Sequence, residues 1–266
     1  MARKKARHTA NVEEIDYDTY RTQFGIRSRN WHDSATWIAH DGLLSAHAAM
    51  CKVPKTANLL DVCCGSGVVG NAFRGRVATL TGLDITPEMK ALSETRLDEV
   101  KLGTVFDIPF DDESFEIVVN REFMHLVPYP ELMLKQVFRV LKPGGQFIFG
   151  QIVPYSPDDA AWMYRIFKKK QPLLHHMFQK DDLVTYLEEA GLSDVETSEY
   201  MLWEDIDVWI DTVETTHLHR HEIRELYYNA PADVRRVHPF EVLPDGRIRD
   251  QWRWVIYSAF KPVIEG

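Results

Sequence analysis

A glycine-rich loop near residue 60 offers the clearest chemistry in the chain. The segment LLDVCCGSGVVG, residues 59–70, carries Gly65, Gly67 and Gly70 in the G-x-G-x-x-G spacing of dinucleotide-binding loops. Glycines permit the backbone to approach a ligand closely. The helix expected after the loop would offer unpaired amides to that ligand. The loop therefore predicts a site for a nucleotide-type cofactor.

Acidic side chains flank this loop at the ends of predicted strands. Asp84 ends the second strand, where an acid can accept hydrogen bonds from both hydroxyls of a ribose. Asp107 ends the third, where it can accept from an adenine amine while Phe106 and Ile108 pack against the ring. Asp61 precedes the loop and would repel a pyrophosphate. Its charge suits a ligand with an ammonium or a sulfonium, although a capping acid that binds loop amides would look the same.

The elements that must position these residues alternate between strand and helix patterns. Short apolar runs predict strands at NLLDVCC, VATLTGLD, GTVFD, FEIVVN and QFIFGQIV. Helix patterns follow the first, second and fourth of these strands, and Thr86 as N-cap with Pro87 marks the start of one helix. The alternation predicts an α/β fold, a doubly wound parallel sheet with helices on both faces.

The flanking parts of the chain follow other patterns. A helix is expected to start near Ser34 and to run through ATWIAHDGLLSAHAAM, and a long helical region is expected over 203–229. DDLVTYLEEAGL predicts a helix, DVETSEYMLW a strand, and RDQWRWVIYSAFKP the last strand. We divide the chain into a disordered tail (1–10), an N-terminal helical cover (11–56), a core (57–202 and 248–266) and a helical cap for substrate (203–247).

Four motifs within residues 57–152 together resemble those of the class I S-adenosylmethionine-dependent methyltransferases. They are LLDVCCGSGVVG, GLDITPEMK, FDIPFDDESFEIVVN and RVLKPGGQFIF, and they are similar to those of the ubiquinone and menaquinone biosynthesis methyltransferases. The resemblance implies a Rossmann-like, seven-stranded, mostly parallel sheet with an antiparallel last strand. It also implies S-adenosyl-L-methionine as the cofactor and a small molecule as the methyl acceptor.

The resemblance assigns the methionine and ribose end of that cofactor. Asp61, Gly65 and Gly67 would surround the methionine part, and Asp84 would hold the ribose. Members of the family also cover the methionine end with an aromatic side chain from an N-terminal helix. The candidates for this aromatic residue are Tyr17, Tyr20 and Trp31.

The resemblance also assigns the adenine end. Ile85 and Met89 would lie beside the ring, Asp107 would face its amine next to Ile108, and Asn120 would line the site after the fourth strand. The loop departs from the family at Cys63-Cys64, where members often have Gly or Ala. Because cysteine is small and apolar, we expect it to pack there without a reactive role.

Histidines supply the candidate catalytic groups. Methyl transfer needs alignment of donor and acceptor, exclusion of water and, for some acceptors, a base. His125 follows the fourth strand and is the first candidate base, with Glu122 as a weaker one. In the cap, His217 and His221 share a helix face and could meet the substrate. No acid completes a metal-binding motif around them, so no metal is expected.

Composition and net charge narrow the classes of partner and the cellular location expected for the protein. A net charge of −9 argues against nucleic acid as a partner. No segment is apolar enough to predict a membrane span, and three cysteines without a disulfide pattern favour a cytoplasmic protein. A small-molecule acceptor is therefore expected, and the sequence leaves a homodimer open.

Two rival functions stay open at the level of sequence. An NAD(P)-dependent oxidoreductase would explain the glycines and Asp84, but it would not explain Asp61 or Asp107. A non-catalytic S-adenosylmethionine-binding protein would carry the same motifs as an enzyme.

Overall fold

The structure, a computed structural model, describes residues 15–263. The predicted tail at 1–10 and residues 11–14 of the predicted cover lie outside the described residues. The α-helices within the described range are α1 Tyr17–Arg27, α2 Asp41–Ala49, α3 Val68–Asn71, α4 Pro87–Ser93, α5 Pro130–Val140, α6 Pro157–Lys170, α7 Lys180–Glu189, α8 Ile206–Ile210, α9 His217–Tyr228 and α10 Ala232–Val237. None of these helices has both the length and the apolar character that crossing a membrane requires.

Eight strands form one sheet in the part of the chain that the structure describes. They are β1 Asn58–Val62, β2 Thr79–Asp84, β3 Glu99–Leu102, β4 Phe115–Arg121, β5 Leu141–Ile152, β6 Ser193–Asp205, β7 Phe240–Val242 and β8 Ile248–Phe260. Their order is β3-β2-β1-β4-β5-β8-β6, and the short β7 pairs with β8. The first five strands are parallel, and β8 runs antiparallel between β5 and β6. The expected mostly parallel sheet with an antiparallel last strand is confirmed, and β7 adds an eighth strand to the seven expected.

Apolar packing on both faces holds the parallel strands. Leu59 and Ile117 pack into the core layer on one face, Leu60 and Val118 into the layer on the other, and all four side chains are fully buried. Strands covered by helices on both faces have continuous apolar sequences for this reason. The strand order reverses between β1 and β4. In an open α/β sheet, a ligand binds outside the carboxyl ends of the strands at such a reversal.

The third strand lies earlier in the chain than the segment GTVFD that predicted it. β3 is Glu99–Leu102, and residues 103–107 leave the sheet as a loop. Gly103 N still donates to Asp84 O at 3.0 Å, which closes the pairing with β2. Val105 is buried without belonging to a strand, so the apolar pattern there reports burial and not strand pairing.

The helix start predicted near Ser34 is wrong, because a tertiary contact occupies the backbone there. Glu204 on β6 accepts hydrogen bonds from Thr36 N at 3.0 Å and from Trp37 N at 3.3 Å. The helix α2 begins only after His40, whose side chain caps it. A partner 168 residues away in the chain cannot be inferred from the local pattern.

The long helical region predicted over 203–229 is interrupted. β6 continues to Asp205, whose side chain caps the short α8 by accepting from the Asp207 and Val208 amides. A loop follows, and α9 begins after Thr216, whose side chain accepts from the His219 amide. Two capping side chains thus divide a segment whose apolar pattern alone suggested one helix.

The helix α6 is absent from the sequence prediction. Ser156 and Asp159 form a reciprocal capping box at its start, and Pro157 occupies its first position. The letters SPDD were therefore the available signal. This helix packs against α9 and α10, so it supports the insertion that precedes β8.

Candidate active site

A cavity with an empty volume of about 1020 Å³ opens at the carboxyl ends of β1, β2 and β4, where the strand order reverses. Cavities at such a position commonly hold small ligands and cofactors. Its walls come from the glycine-rich loop, the ends of these strands, and α1 with the segment after it. Its lining residues include Tyr17, Tyr20, Phe24, Trp31, Trp37, Asp61, Cys63, Gly65, Asp84, Ile85, Met89, Phe106, Arg121 and Glu122.

The glycine-rich loop turns sharply because three of its residues adopt the left-handed conformation. Cys63, Gly65 and Gly67 have φ values of 54°, 52° and 77°. Gly65 lines the cavity, and a Cβ placed on it would come within 3.7 Å of the Trp31 ring. Gly67 does not line the cavity, since a Cβ there would lie 3.0 Å from Ser93. The structure thus places the first glycine at the site and the second in helix packing.

Asp84 binds the loop and still faces the cavity. Its Oδ2 accepts from Gly65 N at 2.9 Å, and its Oδ1 accepts from Thr86 N at 2.9 Å. Burial raises the pKa of this carboxyl above its ordinary value. Each carboxylate oxygen can accept a second hydrogen bond, so both remain able to receive ligand hydroxyls.

Asp61 combines the two roles that the sequence left open. Its Oδ2 accepts from Gly70 N at 2.8 Å, as a capping acid would. A Cβ on Gly70 would lie 3.0 Å from the same oxygen, so a larger residue there would require the Asp61 side chain to shift. The side chain also lines the cavity, and burial raises its pKa to about 7. Asp61 can therefore hold the loop and face a cationic ligand group.

The predicted adenine end is only partly assembled around the cavity. Ile85, Met89 and Phe106 line it. Asp107 is exposed and does not line it, while Ile108 is buried in the core layer beneath.

Asn120 also lies beneath the cavity and not on its wall. Its Nδ2 donates to Val62 O at 2.7 Å. This bond ties the end of β4 to the end of β1, so the side chain supports the site from below.

All three aromatic candidates of the cover line the cavity: Tyr17, Tyr20 and Trp31. Tyr20 also fixes α1 in place, because its hydroxyl donates to Leu126 O at 2.8 Å in the loop after β4. Burial raises the pKa of Tyr20 to about 12, so the hydroxyl stays a donor at neutral pH.

His125, the first candidate base, faces the protein interior and does not line the cavity. Its Nδ1 forms a hydrogen bond of 2.9 Å with Gln151 Nε2. Burial lowers the pKa of His125 to about 3. The imidazole is therefore neutral at physiological pH and joins the loop to β5.

Glu122 lines the cavity three residues earlier. Its Oε2 accepts from Ile152 N at 2.8 Å and from Gln151 Nε2 at 3.0 Å. Burial raises the pKa of this carboxyl to about 8. Its backbone is left-handed, with φ of 54°, which is unusual for a residue other than glycine. Such strained residues concentrate at functional sites.

His217 and His221 lie on the exposed surface of α9, and neither lines the cavity. The structure does not bring them together with the residues at the strand ends. Among residues 15–263, no three His, Cys, Asp or Glu side chains cluster as a metal site would require.

The residues on the cavity wall that sequence reasoning missed include Arg121 and Trp37. The available signal for Arg121 was a charged residue directly after the buried run of β4, at a carboxyl end that faces the site. Trp37 had no such signal, because the contact between Glu204 and the Trp37 amide shapes its segment.

Sequence comparison finds similarity to methyltransferases. Residues 60–149 match the family model described as a methyltransferase domain. The chain is 38% identical over 112 residues to the phthiotriol/phenolphthiotriol dimycocerosates methyltransferase of Mycobacterium tuberculosis, which covers 39% of this chain and 40% of that protein. It is 28% identical over 229 residues to the demethylmenaquinone methyltransferase of Bacillus licheniformis, which covers 74% of this chain and 93% of that one. The chain thus spans well under half the length of the mycobacterial relative.

Solved structures share the fold. The YcgJ protein of Bacillus subtilis has a TM-score of 0.77 at 20% identity, over 85% of this chain and 100% of that one. The phosphoethanolamine N-methyltransferase 2 of Haemonchus contortus, determined with S-adenosylhomocysteine, has a TM-score of 0.62 at 12% identity, over 94% and 61% of the two chains. Residues 60–149 thus match a methyltransferase domain, the strand order agrees with the fold that the four motifs led us to expect, and the chain is similar in sequence to the demethylmenaquinone methyltransferases.

Proposed function

We propose that this protein transfers a methyl group from S-adenosyl-L-methionine to a small, largely apolar acceptor. The observation that carries the proposal is one cavity in which Asp61, Gly65 and Asp84 meet under an aromatic cover. A dinucleotide would bring a pyrophosphate against Asp61, whereas the cofactor proposed here brings a cation. The NAD(P) alternative is therefore disfavoured.

The residues present fit that cofactor. Asp84 keeps acceptor capacity on both oxygens for the ribose hydroxyls. Asp61 would face the amino-acid part, and Met89 with Ile85 would contact the adenine. When bound, the cofactor supplies an electrophilic methyl group on a sulfonium. Asp107 is kept as the proposed partner of the adenine amine, a role that requires its exposed carboxylate to turn toward the ring.

The chain itself aligns the reactants, excludes water and supplies a base. The rings of Tyr20, Phe24 and Trp31 wall the cavity and exclude water, and aromatic faces also attract cations. We assign the proposed base to Glu122, because it faces the cavity and its raised pKa of about 8 lies near neutral pH. His125 is proposed to orient Glu122 through the shared partner Gln151.

The acceptor is proposed to be small and apolar. The cavity wall beyond the acids consists mainly of aromatic and aliphatic side chains, with Arg121 as its cation. The relatives are named for phthiotriol dimycocerosates and demethylmenaquinone, which supports an acceptor with a large apolar part. The residues that cover the cavity come from 15–38. We keep the role of residues 203–247 as a cap over the substrate as a proposal.

Transfer of a radiolabelled methyl group tests the proposal. The purified chain is incubated with methyl-labelled S-adenosyl-L-methionine and a fractionated cell extract, and labelled products are separated by solvent extraction. We expect label in an apolar small-molecule fraction. Cofactor binding without any transfer would instead support a non-catalytic binding protein, and label only in nucleic acid would contradict the proposed acceptor class.

A further inference from the structure

Arg121 is a buried guanidinium whose hydrogen-bonding capacity is mostly unused. It ends β4, lines the cavity and is only 8% exposed. Its Nη2 donates to Ile38 O at 2.6 Å. Its Nε and Nη1 are buried and have no hydrogen-bond partner among residues 15–263. Buried donors without partners are rare in native proteins, so a ligand that supplies acceptors is indicated.

The surroundings hold the guanidinium in place without neutralising it. Its carbon lies 5.1 Å from the centre of the Trp37 ring and 5.9 Å from that of Trp254. Within the described residues its nitrogens form no ion pair of 4.0 Å or less, while Asp61 and Glu122 lie close enough to act on its charge. Burial lowers the pKa of Arg121 to about 10, so it keeps its charge at neutral pH. Because neither carboxylate forms a hydrogen bond with Nε or Nη1, an anionic partner that accepts from these two donors would be favoured.

Arg121 lies on the β4 side of the cavity, within electrostatic range of Asp61. Asp61, Asp84 and Phe106 belong to β1, β2 and the loop after β3. Arg121 pairs with Gly150 on β5 and stacks near Trp254 on β8, on the opposite side of the strand-order reversal. The half of the cavity over β4 thus combines Arg121 with the proposed base Glu122.

We infer that Arg121 binds an oxyanion of the methyl acceptor, which makes the acceptor an apolar, ring-sized molecule carrying a carboxylate or an acidic hydroxyl. The inference rests on the proposed function, because it assumes that the half of the cavity over β1 and β2 holds the cofactor. The guanidinium would donate from Nε and Nη1 to the oxyanion while Trp37 stacks beside it. Charge-assisted bonds of this kind are among the strongest in proteins.

The test measures cofactor and acceptor sites separately by calorimetry on the full chain. S-adenosylhomocysteine is titrated first, and the saturated protein is then titrated with 2-naphthoate or with its neutral counterpart 2-naphthamide. The variants are Arg121→Met, Arg121→Lys and, as a matched control, Arg249→Met, whose side chain is 45% exposed on β8. Circular dichroism and melting curves establish that each variant is folded.

The wild type should bind 2-naphthoate at least tenfold more tightly than 2-naphthamide. Arg121→Met should lose that preference, Arg121→Lys should keep part of it, and Arg249→Met should keep all of it. S-adenosylhomocysteine affinity should stay within threefold throughout. If Arg121→Met does not fold, the partial loss in Arg121→Lys decides.

Three results would overturn the inference. If the wild type binds 2-naphthoate and 2-naphthamide equally, or binds neither of them, the proposed oxyanion site does not exist. If Arg121→Met and Arg249→Met lose the preference for 2-naphthoate equally, the oxyanion does not bind at Arg121. A tenfold or larger loss of S-adenosylhomocysteine affinity in Arg121→Met, with the probe preference intact, would assign Arg121 to the cofactor carboxylate. Failure of the wild type to bind S-adenosylhomocysteine would instead refute the proposed function.

Discussion

Individual residues at the strand ends carry both the chemistry and the strain of this molecule. Cys63 and Glu122 are non-glycine residues with φ values of 54° and 54°, and both line the cavity at the ends of neighbouring strands. A left-handed backbone costs such residues about 1–2 kcal/mol. Two of the four non-glycine residues with positive φ in the described range thus lie on the cavity wall, and strained residues commonly occur at functional sites.

Replacement of Asp84 by alanine should weaken the binding of S-adenosylhomocysteine by about tenfold or more. The change removes the acceptors proposed for the ribose and leaves the Gly65 and Thr86 amides without their partner. Loss of such bonds costs about 1–3 kcal/mol, and 1.4 kcal/mol corresponds to tenfold in affinity. Calorimetry gives the dissociation constant, with Asp112→Ala, an exposed acid outside the cavity wall, as the control. An unchanged dissociation constant of S-adenosylhomocysteine in Asp84→Ala would show that Asp84 does not bind the cofactor.

Replacement of Glu122 by glutamine should lower the turnover number by about 100-fold or more, because a positioned base contributes at least that much. Since burial raises the pKa of Glu122 to about 8, the base form is gained as pH rises through 8, and wild-type activity should rise over that range. The variant should lose this rise. His125→Gln should lower the turnover number, because His125 is proposed to orient Glu122, but it should keep the rise, since the pKa of His125 is about 3. The assignment fails if His125→Gln loses the rise and Glu122→Gln retains it.

The sequence predicted the acidic and glycine residues of the site better than it predicted their supports. Asp61, Gly65 and Asp84 could be placed because a local motif links each to a strand end. Arg121 was missed and Gly67 was assigned to the wrong environment, because both depend on neighbours from distant segments, namely Trp254 and Ser93.

At the scale of elements, the two halves of the sheet were predictable to different degrees. Strands β1, β2, β4 and β5 follow directly from their apolar runs. The start of α2 was wrong because Glu204 binds the preceding amides, and the region at 203–229 was wrong because Asp205 and Thr216 cap separate helices. Local capping could have been read from the sequence, whereas the Glu204 contact could not.

The packing of α2 on β5 depends on one glycine. A Cβ on Gly150 would collide with the ring of His47, which is fully buried on α2. Gly150→Ala should therefore lower the free energy of unfolding by about 1–3 kcal/mol, as overpacked cores do. In a His47→Ala background the same change should cost much less, with a coupling of about 0.5–3 kcal/mol. Urea unfolding of the four variants measures the coupling, and purely additive effects would contradict this packing.

At the scale of the whole molecule, a buried charge network joins the insertion to the sheet. His238 follows α10, and its ring bonds to Asp159 Oδ2 on α6 and to Asp250 Oδ1 on β8, each at 2.7 Å. Tyr227 on α9 donates to Asp250 Oδ2 at 2.6 Å. Side chains on α6, α9 and β8 and the residue after α10 thus form one hydrogen-bonded cluster.

This network should make stability depend on alkaline pH. Burial opposes the positive charge of His238, but Asp250 and Asp159 outweigh it and raise its pKa to about 9. Because the folded-state pKa lies above the unfolded value, the stabilisation is fully present below about pH 6.5 and is lost as pH rises through about 9. At about 1.4 kcal/mol for each pKa unit, the loss should approach 3 kcal/mol. Urea unfolding at pH 6, 8 and 10 measures it.

The control for this pH dependence is His217→Gln, which alters an exposed histidine on α9 and should keep the same loss of stability. Proton NMR of the imidazole resonances should independently show one histidine that titrates near pH 9. A free energy of unfolding that stays constant from pH 6 to pH 10 would contradict a charged His238 in the folded state.

The cofactor assignment is the central claim, and it unites the sheet order, the glycine-rich loop and the acids of the cavity. Isothermal titration of the full chain with S-adenosylhomocysteine and, separately, with NADH tests it most directly. We predict saturable binding of S-adenosylhomocysteine with one site per chain, at least 100-fold tighter than any binding of NADH. Tighter binding of NADH, or no binding of S-adenosylhomocysteine, would contradict the account.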